Sequence, residues 1–380
     1  MSVSVDNRRS RTRSALAAVL TVLILVPVAI LFASVWGTIS DKQDSTKLEK
    51  QGVEYISALA PLVSALAEAQ SSALAGVSDA PGSLTAAING VAAADQRLGD
   101  DLGTRERWTG LRQKIEGLSK VTGNPVLVFQ AHVEVSDLSL ALYNAVRNNS
   151  ELVRDPDNDI SHLQQAIAID LPSTVVQVSR MGDLSQLVAN GNAQLQAQLG
   201  PQFGAAVQSV NTTVNNLTDD LQAAVDDTNS TTLSGNLVSG LDSFRRGVES
   251  LTRGANPGGT PNAATMATAQ SQLQTSLANL SGITSREMTA LLDERLDSLD
   301  NDAVMALAAA AAAVLLVAAA MVLPLTGSGR RIFTPVPGGN ARDMSVGSTG
   351  PDGSRTDQGT RVPGYGEANP TRRERSGALR

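Results

Sequence analysis

The chain has 380 residues, a net charge of −7, 42% hydrophobic and 3% aromatic residues, and no cysteine. The lack of cysteine excludes disulfides, thiol nucleophiles and zinc–thiolate sites, and two histidines leave little for metal ligation or general-base catalysis. The length suits one elongated domain or two modules.

Residues 1–14 carry four arginines and one acid, and the next 22 residues, Ala15–Trp36, hold no Asp, Glu, Lys or Arg. A hydrocarbon core about 30 Å thick needs roughly 20 apolar residues of helix, so 15–36 is expected to be a first transmembrane helix, bent at Pro27 and anchored by Trp36 at the interface. A cleaved signal peptide shares the basic start, but its apolar region runs only about 7–15 residues, which favours an uncleaved anchor. The segment 37–302 holds 17 basic and 31 acidic residues. Its opening apolar positions, Val53, Ile56, Leu59, Leu62, Val63, Leu66 and Leu74, step by three and four as one buried helical face does.

Ser78–Gly82 breaks that helix, and further helices are expected over Leu84–Leu102, Glu106–Lys120 and, after Gly123-Asn-Pro125, Val126–Asn148. Asp155-Pro-Asp-Asn-Asp159 offers an N-cap for Ile160–Ala168. Pro172 kinks or restarts a helix reaching Leu199, Gly200-Pro201 separates Val207–Val225, and Leu233–Arg253 follows. After the loose stretch Gly254–Pro261, a helix over Ala264–Asp302 leads into Ala303–Leu325, 23 residues without a charge, the expected second transmembrane helix. Its Ala308–Ala313 and Ala318–Ala320 offer a small-residue face for another helix, including that of a second copy, or reflect plain alanine bias. Residues 326–380, with nine basic and five acidic residues, are rich in Gly, Pro, Ser and Arg without period and are expected to be disordered.

Basic residues mark the cytoplasmic side. Both termini are therefore expected inside the plasma membrane and 37–302 outside it, in an all-α, two-pass architecture whose outer part is a stacked pair of four-helix bundles.

Glu49-x-x-Gly-Val-Glu-Tyr55, followed by Leu59, Pro61, Leu62 and Leu66, resembles the opening of the extracytoplasmic sensor domain in a group of bacterial chemoreceptors and sensor kinases, of bimodular or nitrate-sensing type. Phe129-x-x-His132, Asn149-Ser150-x-Leu152, Asp155-Pro-Asp157, His162-Leu163, Asp170-Leu-Pro172 and Arg180 continue the pattern, and Leu291-Leu292-x-x-Arg295-Leu296 closes it. The chain departs from it at Gln70, where relatives carry arginine, and at His162, where they carry tyrosine. The resemblance implies paired helical bundles between two spans, a small ligand, and a HAMP linker with an output module after the second span. Residues 326–380 carry no such module, so a signal would pass to a separate partner protein.

Three residues are candidate ligand contacts. The fork of Arg180 suits a carboxylate or nitrate-like anion, although a pairing with Asp155, Asp170 or Asp183, or plain solvation, explains it as well. His132 is the second, with a structural role as the alternative. Asp155 lies in a run that lacks the glycine and terminal glutamate of a calcium loop, which favours a cap or turn. Basic residues at Arg105, Arg107, Arg112 and Lys114 are interspersed with acids, so no nucleic-acid partner is expected. No nucleophile–base–orienter set can be assembled, and neither catalysis nor a cofactor is expected. The expected function is sensing of a small ligand, with anions among the candidates, or of envelope state, as a monomer or homodimer in the bilayer. The alternative is a structural scaffold of the envelope built on a derelict sensor domain.

Overall fold

The computed structural model describes residues 6–326 except 78, 154, 229 and 257–260, with side chains from 19 to 320. The tail expected to be disordered lies, beyond Thr326, outside the described residues. Among these the chain is all-helical, with no strand. Helix α1 spans Asp6–Leu74, α2 Gly82–Leu98, α3 Arg105–Gly117, α4 Pro125–Asn149, α5 Asn158–Gln165, α6 Leu171–Asn190, α7 Ala193–Asp227, α8 Leu233–Ala255 and α9 Ala263–Thr326. A 3₁₀ turn, Leu118–Lys120, extends α3, and a π segment, Ala166–Asp170, joins α5 to α6.

Local chemistry sets several boundaries. Asn124 caps α4 by accepting from the Val126 amide at 2.9 Å, with Pro125 at the first position, where its missing N–H costs nothing. The π segment ends just before Pro172; widening the turn there accommodates a residue that has no amide proton and crowds the preceding carbonyl. The break expected at Gly200-Pro201 falls instead at Gly191-Asn192, where the Asn192 side chain accepts from the Leu195 amide at 2.9 Å. Pro201 lies inside α7. The buried stripe Leu199, Phe203, Ala206, Val210, Val214, Leu217 and Leu221 runs through it at three- and four-residue steps, and its burial offsets the single lost backbone bond.

Side-chain pairs give the register. Arg97 meets Glu54 and Ser83 meets Glu68, so α2 runs antiparallel to α1. Asn149 donates to the Leu102 carbonyl and Lys114 to Glu134, which sets α4 against α3. His162 meets Asp220 and Thr228 meets Asp159, setting α7 against α5. Thr232 and Asn236 both donate to Glu287, and Gly240 lies against Leu280, setting α8 against α9. Finally Gln43 with Asp300, Lys50 with Asp293 and Ser71 with Gln270 set α9 antiparallel to α1.

These registers correct the expectation of a stacked pair of bundles. Asp183 on α6 accepts from Ser71 and Gln70 near the far end of α1, while Asp155, before α5, is tied to the same level as Glu49 through Arg295. Residues 158–300 thus rise alongside α1–α4 and do not sit on top of them. One apolar core, from Val53 through Tyr143, Val178 and Phe244 to Leu292, runs through both halves. Each of its large side chains contributes about 1.5–3 kcal/mol by leaving water.

Among the described residues, three helices are long and apolar enough to cross a membrane: α1, α4 and α9. In α4, 44% of the apolar window is buried inside the protein, whereas in α1 and α9 none is. Leu23 at 68% and Leu316 at 71% exposure typify the latter two, an apolar surface far larger than water tolerates on a folded chain. Partial burial between 19 and 32 falls on Thr21, Leu25, Val28 and Phe32, and between 303 and 320 on Ala303, Ala306, Ala310, Ala313 and Val317. Both series step by three and four, the spacing of a seam between two helices. The bond of Gln43 to Asp300 sets α1 beside α9 near the ends of these stretches.

Candidate functional site

Two places on α1 and α9 gather polar chemistry. The first is a buried ion cluster beyond the apolar stretches. Arg295 donates from Nη1 and Nη2 to the two carboxylate oxygens of Asp155 at 2.7 and 2.6 Å, to Asp157 at 2.6 Å, and lies 3.5 Å from Glu49. Its planar fork matches a carboxylate in this two-bond geometry. The Asp155 side chain has no exposed surface and that of Glu49 only 6%. Burial, then the neighbouring Asp155 charge, pushes the Glu49 carboxyl up to about 8. Burial works against the Arg295 cation, but its bonds to Asp155 and Asp157 outweigh that and hold its pKa above the ordinary value.

The backbone is shaped for this approach. A side chain at Gly52 would collide with Ser150 and Leu152, so only glycine lets the α4–α5 connection lie against α1. Asp155 Oδ1 also accepts from the Asp157 amide at 2.8 Å, closing the turn that starts α5. The cluster joins three segments far apart in sequence: Glu49 and Gly52, Ser150 to Asp157, and Arg295.

The second place is a cleft of about 840 Å³ between α1, α6 and α9. Ser64 and Ser71 of α1, Leu171, Pro172 and Val175 around the start of α6, and Gln270, Gln274, Ser281 and Ser285 of α9 are among its walls. Beside it, Asp183 is fully buried on α6 and accepts from Gln70 and Ser71, each at 2.8 Å, and from Ser179 at 3.3 Å. Burial pushes Asp183 up to about 7 despite these donors. The Nε2 of Gln274 donates to the Val175 carbonyl at 2.9 Å, while its Oε1 and the Oγ of Ser285 are buried without a partner among the described residues.

The three residues singled out from the sequence do not converge. Arg180 bonds Asp137 and the Val133 carbonyl, tying α6 to α4. His132 is buried on α4, and burial alone lowers it to about 4, so it is neutral at physiological pH. Asp155 belongs to the ion cluster, paired with Arg295 and not with Arg180. None of the three lines the cleft. Among the described residues no group of three or more histidines and carboxylates is arranged to hold a metal.

Comparison of the chain with protein-family models, with curated proteins and with solved structures finds no match.

Sequence reasoning missed Arg295 as the partner of Asp155, since the two are 140 positions apart. Each segment of the cluster does fall within one of the motifs, but nothing in the sequence joins them. The cleft had a weaker signal: Ser and Gln recurring at helical spacing on the 264–302 helix, where an all-apolar inner face is the ordinary pattern.

Proposed function

We propose that this is a two-pass protein of a bacterial plasma membrane, with both termini cytoplasmic, that senses a small molecule through its outer helical body and signals through a separate partner. One observation carries the reading. The two helices that bear the exposed apolar stretches, α1 and α9, continue unbroken into the body and form most of the cleft wall. A ligand between them bears on the same rigid rods that enter the bilayer, and a shift of one against the other needs no intervening hinge. The body reads as two four-helix sets, α1–α4 and α5–α9 with α5 and α6 counted as one rod through the π segment, lying side by side with α1 and α9 at their junction. The chemoreceptor-like motifs support the same reading, and those that hold Glu49, Asp155 and Arg295 meet in the ion cluster at the foot of that junction.

The absence of cysteine makes the topology directly testable. Single cysteines at Val77 and Ser345, probed with a membrane-impermeant maleimide on intact cells, should label at 77 and stay protected at 345 until the cells are opened. Labelling of both from outside, or of neither, overturns the two-pass arrangement.

A further inference from the structure

We propose that the cleft takes an elongated, uncharged ligand with a hydrogen-bonding group at each end and an apolar middle, and not a dicarboxylate; this rests on the sensing reading above. The cleft volume of about 840 Å³ lies in the range of sites that enclose a drug-sized molecule. Its chemistry is graded along its length.

Among the described residues, Gln274 and Ser285 are the two that line the cleft and also carry a buried side-chain atom without a partner, Gln274 Oε1 and Ser285 Oγ. Ser285 is 8% exposed. A buried polar atom left unpaired costs about 1–3 kcal/mol, so each is a reason for a ligand group to bind there. The Nε2 of Gln274 is already used by the Val175 carbonyl at 2.9 Å, which leaves its oxygen as the unpaired end. Its free end is therefore an acceptor, and the ligand must bring a donor. Ser285, a hydroxyl, can accept or donate.

The two residues sit eleven positions apart on one helix, about 16 Å at 1.5 Å per residue. Between them the wall is apolar or small: Leu171, Pro172 and Val175 from α6, and Leu277 and Ala278 from α9. The charged lining residues are Glu68 and Arg286, both exposed. The carboxylate of Glu68 is already held by Ser83 at 2.7 Å, and the α1–α9 register places the two near opposite ends. A carboxylate at the Gln274 end would face an acceptor oxygen with no cation to neutralise it, which a buried site penalises heavily.

A matched pair of probes tests this on the full chain in lipid nanodiscs: the α,ω-diol of dodecane and dodecanedioic acid, each read as saturable binding above empty nanodiscs. The diol should bind, and the diacid about tenfold or more weaker. Gly282→Leu fills the cleft while its new Cβ meets only Arg286 at 3.7 Å, so it should fold and abolish diol binding. Ser285→Ala should weaken the diol several-fold while leaving the free chain as stable or more so, since it removes an unpaired buried hydroxyl. Equal or tighter binding of the diacid, lost in Gly282→Leu, overturns the ligand class and leaves the sensing reading standing. No saturable binding of either probe overturns the proposal, as does diol binding that survives Gly282→Leu. A wild-type dimer that Gly282→Leu turns to monomer, with no probe bound, overturns it in favour of a second copy in the cleft. The topology is judged separately by the maleimide test.

Discussion

The ion cluster and the cleft lie on the same two helices, about two to six turns apart on α1, and differ in how their polar groups are satisfied. In the cluster, Arg295 is surrounded by three carboxyl groups and its bonds to Asp155 are close to ideal. In the cleft, an amide oxygen and a hydroxyl are left over. A saturated buried network fixes one arrangement, and an unsaturated one leaves room for a second. The contrast places rigidity where α1 and α9 leave their apolar stretches, and receptivity further out.

The largest effect that would break this contrast is at Arg295. Arg295→Met leaves Asp155 buried without its cation and should cost about 3–5 kcal/mol, read as a fall in the denaturant midpoint of the detergent-solubilised chain. A cost near zero would mean that the cluster is solvated and not a rigid joint. Arg295→Lys keeps the charge but loses the fork, and should recover only part of the loss. Gly52→Ala drives a methyl into Ser150 and Leu152 and should cost about 1–3 kcal/mol by overpacking. A neutral result would show that the α4–α5 connection yields easily.

A third prediction concerns pH. The Glu49 carboxyl is raised to about 8 by burial and by Asp155, so the folded chain holds a proton that the unfolded chain releases. The stability this contributes is complete below the unfolded value near 4.5 and is lost as pH rises through about 8. Asp170, raised to about 8, and Asp183, raised to about 7, both mainly by burial, act in the same direction. His132, lowered to about 4 by burial, acts oppositely: its contribution is present above its ordinary value of 6.5 and is lost as pH falls through about 4. Thermal midpoints should therefore fall as pH rises between about 4.5 and 8, most steeply above about 6.5 where His132 no longer offsets the loss, and Glu49→Gln should flatten that fall. An unchanged slope in Glu49→Gln would assign the effect to Asp170 and Asp183.

Much of the fold was legible because its determinants are local. The three- and four-residue steps from Val53 to Leu74 and from Leu273 to Leu299 mark the inner faces of α1 and α9, and Asn124-Pro125 marks the start of α4. Gly191-Asn192 and Gly200-Pro201 compete as breaks, and propensity alone favours the proline; burial of Leu199 and Phe203 on either side of Pro201 decides otherwise. The lateral arrangement of the two halves was not legible at all, since it rests on contacts such as Asp183 with Ser71, 112 positions apart. For the same reason Arg180 had an open choice of acids along the chain, and the partner it takes in the fold is Asp137.

The most direct test of the link between the cleft and the apolar stretches uses the Gln43–Asp300 contact, where α1 and α9 meet near those stretches with side chains 2.7 Å apart. With cysteines at both positions in the otherwise cysteine-free chain, the rate of disulfide formation in nanodiscs should change several-fold when the dodecane diol saturates the cleft, and should not respond to the diol in a chain that also carries Gly282→Leu. A rate that stays constant while the diol is bound would break the link, because the ligand would then occupy the cleft without moving the helices that bear the apolar stretches.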